Sequence, residues 1–194
     1  MRRTTFDALL TMAGLGLAII LLVAGGLLTW GYTFTNSQVH NQLVAQKIFF
    51  PAKGSPSLSA KEFPGLQQYA GQQVVNGRQA QAYADQFIAA HLKAIAGGKT
   101  YAQLSAASLA DPANTQLAGQ VQTIFRGTTL RGLLLNAYAF WQVGQIALIA
   151  AIVSFAGAGL MLILSILGIA HLRRTTPQVE VLPGLGTQVK EKVA

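Results

Sequence analysis

Apolar residues form two long runs uninterrupted by charge, and between those runs they recur at helical spacing. The first run, Ala8 to Leu28, reads ALLTMAGLGLAIILLVAGGLL and holds 21 residues without Asp, Glu, Lys or Arg. At about 1.5 Å rise per residue such a helix covers a hydrocarbon core of roughly 30 Å. Arg2 and Arg3 precede it, and Trp30, Tyr32 and Phe34 follow it. The second run lies inside the 39 uncharged residues 132–170, and Ile146 to Ala170 is the segment expected to cross. Tyr138 and Trp141 then anchor one interface, and Arg173 and Arg174 the other. Asn136, Gln142 and Gln145 suit a place near or above that interface better than lipid. A cleaved leader is the competing reading of the first run. The run is long for one, and no A-x-A site follows it.

Between the runs the pattern predicts helices and one loop. Val39, Leu43 and Phe50 continue the first helix to about Lys47, with Pro51 as its stop. Residues 51–65 (PAKGSPSLSAKEFPG) hold three of the six prolines and read as a loop. In RQAQAYADQFIAAHLKAIA (78–96), one stripe carries Ala80, Ala84, Phe87, Ile88, His91, Leu92 and Ile95. Asn76 caps this helix and Gly97-Gly98 ends it. Thr100 and Gln103 form a capping box opening a short helix to Ala110. Asp111 and Pro112 read as the cap and first residue of the next helix. That helix carries Leu117, Val121, Ile124, Phe125 and Thr128 on one face. It is expected to run into the second apolar run, with Gly127 and Gly132 as the places where it would bend. No β alternation competes.

The expected fold class is therefore an all-α membrane protein, two transmembrane helices flanking a small helical extracytoplasmic domain. Its parts are a cytoplasmic N-terminus (1–7), a first span (8–28), the outer domain (29–145), a second span (146–170) and a cytoplasmic tail (171–194). Arg2 and Arg3 flank the first span on one side, and no base follows until Lys47, so the positive-inside rule places both termini in the cytoplasm. Pro177, Pro183, Gly184 and Gly186 predict a flexible tail, too short for a catalytic output domain.

Composition agrees with a plasma-membrane protein: 52% of the 194 residues are hydrophobic and only 10% charged, against about 25% charged in soluble domains. The net charge of +8 raises the question of nucleic acid. The bases are scattered, eight of them across residues 33–143 against Glu62, Asp85 and Asp111, so the dense patch of a nucleic-acid binder is missing. The absence of cysteine excludes thiolate metal sites and Cys nucleophiles.

Candidate chemistry is sparse. GGKT (97–100) resembles the end of a phosphate-binding loop, but Lys93 stands where the first Gly is required and a helix precedes it. His40, His91, Glu62 and Asp85 lack metal-ligand spacing, and His91 reads as a core histidine. No G-x-S-x-G occurs. No catalytic residue, metal or cofactor is expected. Arg78, Arg126 and Arg131 are the candidate contacts for an anion or lipid headgroup; as ordinary residues Arg126 and Arg131 are solvated anchors at the end of the outer domain. Gly14 and Ala18 in the first span, and Ala147, Ala151, Ser154 and Ala158 in the second, make small-xxx-small steps. These suit packing of the two spans together, or of a homodimer or another membrane protein.

The runs TIFRGTTLRGLLLNAYAFWQVGQIAL (123–148) and YADQFIAAHLKAIAGGKTYAQLS (83–105) resemble a group of two-span actinobacterial membrane proteins with no established function. The similarity covers most of the chain outside the tail. Some members carry the label of aromatic ring-opening dioxygenases. Iron would need clustered His and carboxylate ligands, and the histidines here are dispersed, so no functional residue is carried over. The expected role is a non-enzymatic accessory, scaffold or interaction subunit of the cell envelope. The alternative is a ligand- or lipid-binding sensor module signalling to a partner, and an envelope enzyme comes third. Transport by one chain is disfavoured, since two spans without intramembrane charge make no pathway.

Overall fold

The computed structural model describes residues 3–174, and within them the protein is all-helical, with one isolated antiparallel bridge between Phe49 and Gln73. Arg2 and the tail residues Pro177, Pro183, Gly184 and Gly186 lie outside the described residues. The order is α1 (Arg3–Gln46), 3₁₀ turns at Pro56–Leu58 and Pro64–Tyr69, α2 (Gly77–Ala82), a π-helical turn (Tyr83–Ile88), α3 (Ala89–Ile95), α4 (Tyr101–Ala110) and α5 (Thr115–Leu172). Two helices, within α1 and α5, are long and apolar enough to cross a membrane. The chain divides into two compact units. One takes the residues up to Trp30 and those from Ala147 onward, and the other is Gly31–Ile146.

The first unit is a pair of helical segments. On α1 the inward positions are Thr11, Gly14, Ala18, Leu21, Gly25 and Leu28; on α5 they are Ala151, Ser154, Ala158, Met161, Ser165 and Gly168. Steps of three and four alternate, a mean period of 3.5, which is the repeat of a left-handed coiled coil. The segments run antiparallel. A Cβ on Gly14 would stand 2.8 Å from the Ser165 hydroxyl, one on Gly25 2.8 Å from the Phe155 ring, and one on Gly157 3.3 Å from Leu21. Ala18, Ala151 and Ala158 are buried in this seam, Ser154 and Ala147 half-buried. The small residues singled out in the sequence thus pack the two segments of one chain. Large side chains point the other way. Leu9, Leu10, Met12, Ile19, Ile20 and Val23 on α1, and Ile149, Ile152, Val153, Ile163, Ile166 and Leu167 on α5, are exposed. Thr11 and Thr29 return their hydroxyls to the carbonyls four residues back, 2.8 Å each, so an apolar helix carries them without an unmet donor.

The second unit has an aromatic and aliphatic core. Val39, Leu43, Phe50, Leu58, Phe63, Leu66, Val74, Ala80, Ala84, Ile88 and Leu134 are buried in one cluster. Phe50 stacks on Tyr69 at 5.2 Å and meets Tyr83 edge-on at 5.0 Å. A smaller cluster joins Ala96, Leu104 and Ile124. The segment after α1 is tied back by backbone bonds from Phe50 to Gln72 (2.9 Å), Gly71 to Pro51 (3.0 Å) and Val74 to Ile48 (2.8 Å). The irregular stretch therefore extends well past residue 65, and Leu58, Phe63 and Leu66 cover the core from it.

Four local expectations change. Helix α1 ends at Gln46 because Lys47 takes a left-handed conformation (φ 53°), before Pro51 acts. The helix begun by Asn76 contains a π turn, whose extra residue rotates the following face by one position. Ala96 (4% exposed) then takes the buried place and Ile95 (43%) is left outside. Asn114, rather than Asp111, caps α5: its Oδ1 accepts the Leu117 amide at 3.0 Å, while Asp111 closes α4 and accepts from the Asn114 side chain. On α5 the inner positions run Leu117, Val121, Ile124, Gly127, Arg131 and Leu134. Phe125 (52% exposed) and Thr128 fall off that line, because the 3.5 repeat moves from Ile124 to Gly127, where Leu92 packs. Helix α5 continues through both Gly127 and Gly132. The capping box of Thr100 with Gln103 forms, and Gly97 and Gly98 end α3 at φ 57° and 78°.

Candidate functional site

The polar cleft of the second unit is assembled from three elements. The Asn76 side chain accepts the Gln79 amide at 2.9 Å and starts α2. Gln79, buried, accepts the Val75 amide at 2.9 Å and donates to Gln72 at 3.2 Å, so both ends of its amide are engaged. This fixes the start of the helix, and with it Gly77 and Arg78. A Cβ on Gly77 would overlap Trp141 of α5. Glycine is what lets the indole lie against the α2 backbone. Arg78 then sits 5.8 Å over the Trp141 ring, a cation–π arrangement. Tyr138 stacks on the same indole at 6.3 Å.

Around this pair lies a cleft of about 460 Å³ lined by Tyr32, Asn36, Gln68, Tyr69, Asn76, Arg78, Gln79, Trp141 and Gln145. Arg78 is the ionised group of the lining. A smaller adjoining cavity of about 250 Å³ shares Gln68, Tyr69 and Arg78 and is bordered by Asp85. Arg131 donates to Asp85 at 2.8 Å, with both side chains 39% exposed. The charge of Arg131 is thus met by a carboxylate one helix away. Arg126 is exposed and lines neither cavity. Of the three candidate arginines, only Arg78 faces the cleft without a carboxylate partner.

The proposed interface anchors divide in the same way. Trp30 is exposed, as are Arg173 and Arg174. Tyr32 lines the cleft, and Trp141 packs on the core with Tyr138 half-buried beside it. Asn36, Gln68, Tyr69 and Gln79 were not singled out in the sequence. The signal for part of the set was present: Tyr32 with Asn36, and Trp141 with Gln145, each place an aromatic and an amide four residues apart on helices expected to pair.

Two of the three histidines, His91 and His40, contact backbone carbonyls of the second unit. His91 lies flat against Phe63 (5.6 Å, 5° between planes) and touches Phe87 at 4.3 Å. Its Nδ1 lies 2.8 Å from the Phe87 carbonyl, which only accepts, so Nδ1 is the donor of this contact. His40 is exposed and makes the equivalent contact with the Val75 carbonyl at 3.0 Å. Among the described residues no group of three His, Asp or Glu side chains is placed to hold a metal ion. Burial pushes the Tyr83 phenol above its ordinary pKa of 10.0.

A second, apolar groove of about 460 Å³ runs between residues 34–46 of α1 and 133–140 of α5. Phe34, Val39, Leu43, Leu133, Leu134 and Phe140 line it together with Gln38, Gln42 and Gln46. No family model, curated protein or solved structure matches the chain.

Proposed function

We propose that the chain is a two-span integral protein of the plasma membrane. Residues 8–28 and 146–170 cross, both termini lie in the cytoplasm, and the helical domain 29–145 faces outward. One observation carries this reading. The most apolar windows of α1 and α5 are only 11% buried within the protein, whereas the core helix of a soluble protein is mostly covered. Outward rows of Leu, Ile and Val of this length are far larger than the apolar patches tolerated in water. The inward seam of Gly, Ala and Ser is how helices pack in lipid, where apolar surface gains nothing from leaving the solvent.

On this basis the protein acts by recognition rather than chemistry, as an accessory, scaffold or interaction subunit of the envelope. Its outer domain offers an amide-lined cleft and an apolar groove rather than paired acids and bases. Native mass spectrometry of the full chain, extracted from its own membrane in mild detergent, tests the role. A second protein in fixed stoichiometry is the expected result. A chain that remains alone at every detergent concentration would contradict a subunit role.

A further inference from the structure

We propose that the cleft at Arg78 and Trp141 binds a phosphodiester that carries neighbouring hydroxyl groups. This is the chemistry of a glycerol-type phospholipid headgroup, or of the same headgroup free in solution. The site deepens the reading above, and it depends on membrane insertion only for the lipid source.

The charge is the first argument. Nine side chains line the cleft, and among them Arg78 is the ionised one. Arg78 makes a ring contact with Trp141 and no hydrogen bond or ion pair with the protein among the described residues. Nearby Asp85 is bonded to Arg131 instead. With no protein partner among the described residues, the guanidinium N–H groups are free for a bidentate partner, and phosphate oxygens fit that fork. The position is preorganised, because Trp141 is seated on Gly77 and Gly77 is fixed by the Asn76 cap.

The amides are the second argument. Among the described residues the Asn36 and Gln145 side chains make no hydrogen bond, nor do the Tyr32 and Tyr69 hydroxyls. Asn76 uses only its oxygen, and Gln68 only its nitrogen, on the Gly65 carbonyl at 3.0 Å. The wall therefore offers acceptors as well as donors. A bare inorganic anion uses donors alone. Ligand hydroxyls both donate and accept, so they match carboxamides. An anionic centre beside hydroxyl groups uses both halves of the wall.

Chain position is the third. Tyr32 stands four residues after Leu28, and Gln145 directly precedes Ile146, at the ends of the two apolar runs. If those runs lie in lipid, these residues stand at headgroup depth.

The test uses the full-length protein in a mild nonionic detergent. Glycerophosphoglycerol is the soluble probe, and phosphatidylglycerol nanodiscs, with phosphatidylcholine nanodiscs as reference, are the lipid arm. A ligand that binds the native state raises the unfolding midpoint with its concentration. Glycerophosphoglycerol is expected to do so saturably, and inorganic phosphate less. Arg78→Gln is expected to weaken binding roughly tenfold or more. Asn36→Leu, which leaves the cation in place, should also weaken it, and Arg126→Gln should not. Stabilisation by phosphatidylglycerol alone, lost in Arg78→Gln, would support the site with lipid as its source. Binding by Arg78→Gln and Asn36→Leu as tight as by the unsubstituted protein would overturn the proposal, as would stabilisation by neither probe, or by a neutral disaccharide in place of the phosphodiester. A chain released from membranes at alkaline pH that still bound glycerophosphoglycerol would remove the two-span reading and keep the cleft. A firmly inserted chain that bound neither probe would do the reverse.

Discussion

The two units differ in where their large side chains go. Residues 31–146 gather Phe50, Leu58, Phe63 and Leu66 into a buried core alongside small residues such as Ala80 and Ala84, and expose most of their Lys and Arg together with single apolar side chains such as Leu109 and Leu133. The unit of residues up to 30 and from 147 buries Ala18, Ala151, Ala158 and Ser165 and exposes Leu, Ile and Val. The difference follows from the surroundings each is proposed to meet. In water the gain comes from removing apolar area, about 25 cal/mol per Å², so the largest side chains go inside. In lipid that term vanishes, and close backbone approach decides what goes inside. The same rule of packing gives opposite sequence signatures in one chain.

The comparison is broken most strongly by truncating the outer core. Phe50→Ala should cost about 3–5 kcal/mol, the usual price for a buried phenylalanine, and is read as a lowered denaturation midpoint of the outer domain. In the seam the sensitive direction reverses. Ala158→Leu should cost about 1–3 kcal/mol through overpacking and loosen the paired segments in detergent. Ile152→Ala, which removes three carbons from the outward face of α5, should change stability in a bilayer by less than about 0.5 kcal/mol. If Ile152→Ala were as damaging as Phe50→Ala, the outward face would not be in lipid.

The fold was readable wherever a local rule decides. Asn76, Gly97-Gly98 and the Thr100–Gln103 box mark helix ends through contacts within four residues, and each acts as its spacing implies. The outcome was not readable where two elements decide together. The π turn at Tyr83–Ile88 leaves no mark in residue spacing, yet it exchanges Ile95 for Ala96. The Asp85–Arg131 pair joins residues 46 apart, and the place of Trp141 depends on a glycine 64 residues before it. For the cleft, Arg78 was visible as a spare cation, and Trp141 as an aromatic, but not that one covers the other.

Two smaller effects sharpen the outer half of the comparison. The Asp85–Arg131 pair is half-exposed, so Asp85→Asn should cost less than about 1 kcal/mol, and the loss should shrink in high salt. The Tyr83 phenol has its pKa raised by burial. The folded state then holds that proton more tightly than the unfolded one. Stability is intact below about pH 10, declines as pH rises from the ordinary tyrosine pKa to the raised one, and levels off above it. Tyr83→Phe should flatten that decline in an alkaline melt series.

The central proposal is that the helical domain 29–145 faces outward and both termini lie in the cytoplasm. The chain contains no cysteine, so single cysteines can be placed at Thr5, Ser57 and Arg174 on a silent background. Intact cells are then treated with a membrane-impermeant maleimide, before and after permeabilisation. The account predicts that Ser57→Cys labels in intact cells, whereas Thr5→Cys and Arg174→Cys label only once the membrane is opened. Labelling of all three positions in intact cells, or of Thr5→Cys and Arg174→Cys on opposite sides, would contradict it.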